Sequence, residues 1–355
     1  MRADELPCYG YFRNTAPNLC RFADKNTTFL NAYSQSSHTL DSHMSLFTSL
    51  YPSTHQVLDG WKDSLSPRAI TLAQMLKTSG YKTIYTGPLD DYNLPLAHGL
   101  GRGFDVVQSN LITDGWMRGY EMFRKSISEG RSTFLFLHTY SIHAPYLTGR
   151  KDKLLFASKN YSDIPLTDED FRKFTSEFLR MLIDDFKIRL QTSDTPESLA
   201  RNKKTYEEFL NAKSLEEAKV IFEALPDAGK FSYYIERYYQ NIARDPGKTA
   251  FLRALYDEKI FQFDQELKSL FAILEDPSLA RKTLVIITSD HGEEFMEHGE
   301  LDHGGNIYNT STHIPLVLSV PGIKPQRLEE LAQSIDIYPT IAGLVGIRPP
   351  PFVQG

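Results

Sequence analysis

The stretch TLVIITSDHGEEF, residues 283–295, decides how this chain is read. Thr283 to Thr288 form an unbroken run of apolar or β-branched residues, as in a strand buried on both faces. After one serine come Asp290, His291 and Gly292. Open α/β sheets place their chemistry at the carboxyl ends of strands. An adjacent carboxylate and imidazole at such an end are therefore candidate ligands of one divalent cation. Mixed oxygen and nitrogen donors suit Zn²⁺ or Mn²⁺, and Ca²⁺ where oxygens predominate. Taken alone, the pair reads equally well as a helix cap next to a histidine bound to a backbone carbonyl.

Outward from this stretch, residues 251–276 have the spacing of a long amphipathic helix that leads into the strand. IPLVLSV (314–320) is a further strand closed by Pro321-Gly322, and SIDIYPTIAGLVGI starts a late helix that Gly346 ends. Upstream, AITLAQMLKTSG (69–80) predicts a helix stopped by Gly80, and YKTIYTG predicts a short strand ending at Gly87. STFLFLHTY (132–140) is a continuous apolar run and predicts a buried strand. Strands alternating with helices predict an α/β fold, a mostly parallel sheet sandwiched by helices. The interval 149–248 differs, being rich in Lys, Glu, Asp, Tyr and Phe with helical periodicity. It is read as a helical insertion, or cap, within one domain over 1–355 whose core is 1–148 and 249–355. The aromatic run of residues 230–242 is read as cap core.

Bulk properties narrow the function. The 355 residues are 41% hydrophobic and 24% charged, as in soluble globular proteins. A formal charge of −6 gives no electrostatic case for a nucleic-acid or anionic-membrane partner. No apolar run reaches the length of a transmembrane helix. Cys8 and Cys20 cannot build a disulfide framework, and the sequence does not decide whether they pair. MRADELPCYGYFRNTAPNL shows no signal peptide and reads as a loop entered midway.

Two more clusters carry chemistry. SQSSHTLDSHMSLFTSLYPSTH (34–55) packs Ser36, Ser37, Thr39, Ser42, His38 and His43 before a helix-like run. A hydroxyl at a helix N-terminus lies where anions dock, although such residues more often serve as caps. In FLFLHTYSIHAPY, His138 and His143 follow a strand, where imidazoles can bind an anion or protonate a leaving group.

In their order along the chain these segments resemble the sulfatase family of the alkaline-phosphatase superfamily. RADELPCYGYFRNTAPNLCRFA is similar to the family's opening segment, and FLNAYSQSSHTLDSHMSLFTSLYPSTHQV to its nucleophile segment. LAQMLKTSGYKT, GLGRGFD, FLFLHTYSIHAPY, YDEKIFQFDQELKSL, VIITSDHGEEFMEHG, HGGNIYNTSTHIPLVL and SIDIYPTIAGLVGI continue the series. The resemblance implies Thr39 as nucleophile and Asp290 and His291 as metal ligands. It implies His143 and His303 as the groups nearest the transferred group and the ester oxygen. His43 stands where the family often has an arginine bracing the nucleophile loop, and His138 joins it as an anion-binding candidate. The implied cofactor is one divalent cation, calcium first, with manganese or zinc as alternatives. The implied substrate is a small-molecule, glycan or lipid ester, and the family makes export plausible.

Two departures shape the expectation. Where typical sulfatases carry the Cys/Ser-x-Pro-x-Arg frame that is oxidised to formylglycine, this chain reads Thr39-Leu40-Asp41-Ser42-His43. Threonine cannot become formylglycine. It resembles instead the nucleophile of phosphoethanolamine- and phosphoglycerol-transferring branches. The family's first strand, which delivers metal-binding aspartates, precedes the segment with which this chain begins. The expectation is thus a metal-dependent hydrolase of sulfate or phosphate esters. The alternatives are a phospho-group transferase, or a non-catalytic binding protein on the same fold. A metal-free serine hydrolase is a poorer fit, since no Gly-x-Ser-x-Gly elbow is present.

Overall fold

The computed structural model describes residues 1–60, 62–87, 96–109, 115–144, 240 and 242–355, with scattered positions between 146 and 211. Most of the insertion expected at 149–248, including residues 230–239 of its aromatic run, lies outside them. Two compact units are formed. One comprises Met1–His143, Ile260–Glu297 and Asp302–Gly355, the other Ala144–Lys259 and His298–Leu301.

The strands of the first unit are β1 (Thr27–Tyr33), β2 (Lys82–Gly87), β3 (Val106–Ser109), β4 (Thr133–Leu137), β5 (Val285–Thr288), β6 (His313–Ser319) and β7 (Gln326–Gln333). Of the two larger sheets, one has the order β5-β6-β1-β7 and the other β3-β2-β4; Glu294–Phe295 and Leu301–Asp302 form a further two-stranded pair. The three-stranded sheet is entirely parallel, with Ile84 opposite both Val106 and Leu135. In the four-stranded sheet β1 and β7 are parallel, while β6 runs antiparallel to both β1 and β5. The α/β fold with mostly parallel pairing is therefore present, and β6 is its exception.

The main helices are α1 (Pro17–Ala23), α2 (Thr39–Thr48), α3 (Leu72–Thr78), α4 (Gly115–Ser128), α5 (Pro246–Glu266), whose residues up to Lys259 belong to the second unit, and α6 (Ile337–Leu344). Local chemistry explains their limits. Thr71 and Gln74 form a reciprocal capping box at the start of α3. Past its end, Gly80 has φ +90° and the Tyr81 N–H returns to the Leu76 carbonyl, a left-handed stop that favours glycine. The helix expected over 251–276 is interrupted at Leu267, and a separate helix follows over Lys268–Leu274. Near the end of α5, the buried Asp264 accepts from the backbone N–H groups of Asn18 (3.0 Å) and Leu19 (2.7 Å). It thereby caps α1 with charge of the favourable sign.

The N-terminal segment, read from sequence as a loop, is tightly packed. It forms two single-turn helices, Ala3–Glu5 and Pro7–Tyr9, with Arg2, Ala3, Glu5 and Leu6 buried. The Arg2 guanidinium binds Asp4 and Glu297 and donates to the Glu293 carbonyl, so the buried charge is compensated. Cys8 and Cys20 form a disulfide.

Strands β1 and β7 carry weak sequence signals. β7 (QRLEELAQ) is largely exposed, and charged side chains on an edge strand discourage pairing with another chain. The core joins Leu40, Met44 and Phe47 of α2 to Leu72, Met75 and Leu76 of α3, Tyr85 of β2, and Ile314, Leu316 and Leu318 of β6. This packing anchors α2 along most of its length and so sets where its N-terminus stands.

Candidate active site

Thr39 is the first residue of α2, and both its neighbours and its own side chain are held. It is buried, and its hydroxyl lies 3.1 Å from Nε2 of His291 across 252 positions of sequence. His291 Nδ1 donates to the Gly292 carbonyl (2.8 Å), which leaves Nε2 as the acceptor for the Thr39 hydroxyl. Oδ2 of Asp290 stands 3.3 Å from the same Nε2. His43, one turn along α2, donates from Nδ1 to the Thr39 carbonyl (2.8 Å) and lies 3.7 Å from Asp290 Oδ2. Thus a hydroxyl, a carboxylate and an imidazole from three segments face one point.

Gly292 makes this approach possible. Its N–H donates to the Ser311 carbonyl at 2.7 Å, and a Cβ there would stand 2.0 Å from the Thr310 carbonyl oxygen. Only glycine allows the two backbones to lie so close.

The remaining histidines complete a ring of side chains. His43 meets His138 edge-on at 4.6 Å between centroids, His138 meets Tyr140 at 5.0 Å, and Tyr140 meets His143 at 5.4 Å. His143 meets His303 at 5.0 Å, and His303 meets His291 at 4.2 Å. The seven residues given site roles from the sequence, namely Thr39, His43, His138, His143, Asp290, His291 and His303, therefore lie in one cluster. His98 and His313 do not join it: His98 binds the Asp63 carbonyl and His313 the Leu30 carbonyl.

Charge follows from the surroundings. Burial pushes Asp290 up, but His291, His43 and His138 outweigh it and hold the carboxyl well below its ordinary range. Burial holds His291 well below the usual imidazole value, and burial together with His43 pushes His138 down to about 3. Both are neutral at pH 7. His303 is the opposite case. Burial opposes its charge, yet Asp302 and Glu293 raise it well above the ordinary value. Its Nδ1 lies 2.9 Å from Glu293 Oε1 and 2.6 Å from Asp302 Oδ1.

Glu293, Asp302 and Tyr140 were not singled out from the sequence. Glu293 could have been, as the acid two places beyond His291. Asp302 and Tyr140 carry no local signal beyond adjacency to a histidine or a strand end. Asp41, whose charge beside an anion site would be unfavourable, is engaged by Ser36 Oγ (3.1 Å) and His38 Nδ1 (3.3 Å) at the start of α2.

The donors suit a divalent cation. Atoms held at about 2.2 Å from one ion at right angles are about 3.1 Å apart, close to the spacings of Thr39 Oγ1 and Asp290 Oδ2 from His291 Nε2. A neutral imidazole and an ionised carboxylate are also the protonation states that ligation requires.

The family profile described as Sulfatase matches residues 1–347. Arylsulfatase K of Gallus gallus is 26% identical over 336 residues, a match covering 90% of this chain and 57% of that protein. The chain thus spans little more than half the length of that curated relative. Among solved structures, BT4656 in complex with its substrate D-glucosamine-2-N,6-O-disulfate superposes with a TM-score of 0.63 at 16% identity, covering 99% of this chain and 76% of that one. The soluble domain of lipooligosaccharide phosphoethanolamine transferase A from Neisseria meningitidis gives 0.57 at 16% identity, covering 97% and 84%. At these identities the structural likeness speaks to the fold.

Proposed function

Because the chain belongs to the sulfatase family, we propose that it is a metal-dependent hydrolase of sulfate esters, with Thr39 as nucleophile. The observation that carries this reading is the convergence of Thr39 Oγ1, Asp290 Oδ2 and His291 Nε2. Asp290 and His291 would hold the cation. When bound, it supplies a lowered hydroxyl pKa and charge neutralisation on the transferred group. Calcium is the first candidate, followed by manganese and zinc.

The chain's own residues have separable tasks. Thr39, its proton lost to solvent because His291 is occupied as a ligand, attacks sulfur in line as the alkoxide, and the S–O bond to the alcohol breaks. His303, held charged by Glu293 and Asp302, donates the proton that the leaving oxygen needs, with His143 beside it. His43 and His138 line the opposite arc and orient the anion's oxygens, which also meet the N-terminus of α2. Water then opens the threonine ester. The Cys8–Cys20 disulfide supports folding in an oxidising compartment, as export would require.

One observation favours a second reading. Threonine has a single hydroxyl and, unlike a carbonyl hydrate, no second one with which to expel the bound group. Its ester must be opened by attack on sulfur or phosphorus, a step that an acceptor alcohol can perform as well as water. Transfer or hydrolysis of a phospho group is therefore the alternative, in keeping with the fold shared with the phosphoethanolamine transferase. Turnover of aryl sulfate, aryl phosphate and phosphodiester substrates, with and without Ca²⁺, Mn²⁺ or Zn²⁺, decides between them. Thr39→Ala should abolish the activity and Thr39→Ser should retain part of it. A folded protein with no metal-dependent turnover of any of these would refute both readings.

A further inference from the structure

The mechanism leaves the histidine just before the nucleophile without a task. His38 is the N-cap residue of α2, yet its side chain makes no capping bond. It turns instead to Asp41, whose Oδ1 lies 3.3 Å from His38 Nδ1. Asp41 Oδ2 accepts from Ser36 Oγ (3.1 Å), and Ser36 Oγ accepts from the His38 N–H (3.0 Å), which closes a small ring of bonds. An imidazole pinned at Nδ1 has a fixed plane, and Nε2 becomes the atom it presents. Gly304 shows where that edge lies. A Cβ there would stand 3.5 Å from His38 Cδ2, the ring atom bonded to Nε2, so this edge rests against the turn that follows His303. His38 is also more open than the inner histidines. Its side chain is 31% exposed, against 3%, 7% and 10% for His43, His291 and His303. It therefore stands at the mouth of the site, between the nucleophile and the group that protonates the leaving oxygen.

We propose that His38 is a specificity residue, whose Nε2 hydrogen-bonds a hydroxyl carried by the leaving alcohol beside the ester oxygen. The substrate class is then an ester of a polyhydroxylated alcohol, a sugar or other polyol, in preference to one of a simple aryl alcohol. A hydroxyl both donates and accepts, so it meets Nε2 whichever way that nitrogen is protonated. A carboxylate in the same place would face Asp41, and an apolar group would offer the nitrogen nothing. Asp41 thereby gains a role beside an anion site, as the positioning residue of His38. This inference rests on the reading of Thr39 as nucleophile and His303 as donor to the leaving oxygen, and it adds the part of the substrate that neither touches.

The test is a ratio of kcat/KM values measured on the full chain. The substrates are the positional monosulfates of methyl glucopyranoside, or the monophosphates if those are the esters that Thr39 turns over. Each is compared with its analogue deoxygenated next to the ester, and the ratio cancels any loss of folded protein. At the best position, wild type should favour the hydroxylated ester by about 10-fold or more, as one hydrogen bond at a partly open site implies. Two variants separate contact from scaffold. Asparagine can keep the bond to Asp41 but places no polar atom where Nε2 was, while glutamine reaches the Nε2 position. His38→Asn should bring the ratio within about threefold of one, and His38→Gln should keep most of it. Asp41→Asn should lower it through His38. A wild-type ratio near one, a ratio kept by the asparagine, or one lost equally by both overturns the assignment. Any of these with Thr39-dependent turnover leaves the proposed function standing, whereas no Thr39-dependent turnover of any ester sinks both.

Discussion

Gly292→Ala tests how the candidate site is positioned. An added methyl would stand 2.0 Å from the Thr310 carbonyl oxygen and 2.9 Å from its carbon, where ordinary contact begins at 3.4 Å. The obstacle is backbone and cannot rotate away, so the two segments must part by about 1.4 Å. That strains the bonds from Gly292 N–H to Ser311 (2.7 Å) and from Glu293 N–H to Thr310 (2.9 Å). His291 would move with them, because its ring is tied to the Gly292 carbonyl. A misplacement of about 1 Å in such a site costs roughly 100-fold in rate, and the crowding costs about 1–3 kcal/mol of stability. The assay is kcat/KM on the best of the ester substrates, read alongside cation affinity by calorimetry. Rate and affinity should fall together in a protein that still melts cooperatively. Values within about threefold of wild type would refute the idea that this close backbone approach sets the position of His291.

Two predictions concern stability. Replacing Cys8 and Cys20 by serine should lower unfolding free energy by about 3 kcal/mol on the loop-entropy estimate for a sequence separation of 12, measured by urea denaturation without reductant. No change would mean that the surrounding buried residues hold the segment by themselves. Asp105 offers a pH test. Burial pushes it up, but Lys77, the Thr83 N–H and Lys82 outweigh this and lower it to about 2. A depressed carboxyl stabilises above its unfolded pKa, ordinarily near 3.8, and the benefit is lost as pH falls through about 2. Asp105→Asn should therefore cost at most about 1 kcal/mol at pH 7, given solvent screening, and only a small part of that near pH 2. An equal cost at both values would show that the hydrogen bonds to Thr83, not charge, carry the effect.

Much of this protein was determined by local sequence. The apolar runs of β2, β4, β5 and β6, the Thr71–Gln74 box and the glycines at 80 and 346 act through nearest neighbours, so their spacing reveals the elements directly. The seven site candidates were legible for a related reason: chemistry-bearing residues stand next to strand or helix ends, and their order along the chain resembles a known family. Strands β1 and β7 were not legible, because one mixes polar and apolar residues and the other is a polar edge whose pairing depends on a partner strand far away in sequence. Only the tertiary structure decided which residues meet. It brought Thr39 to His291, closed the imidazole ring through Tyr140, paired Cys8 with Cys20, and set Glu293 and Asp302 against one nitrogen of His303. The physical reason is that hydrogen bonding, ligation and burial act over a few ångströms in space. Which groups come within that range is decided by the packing of α2 against the core and by the glycine-dependent approach at residue 292, and neither leaves a periodic trace in the chain.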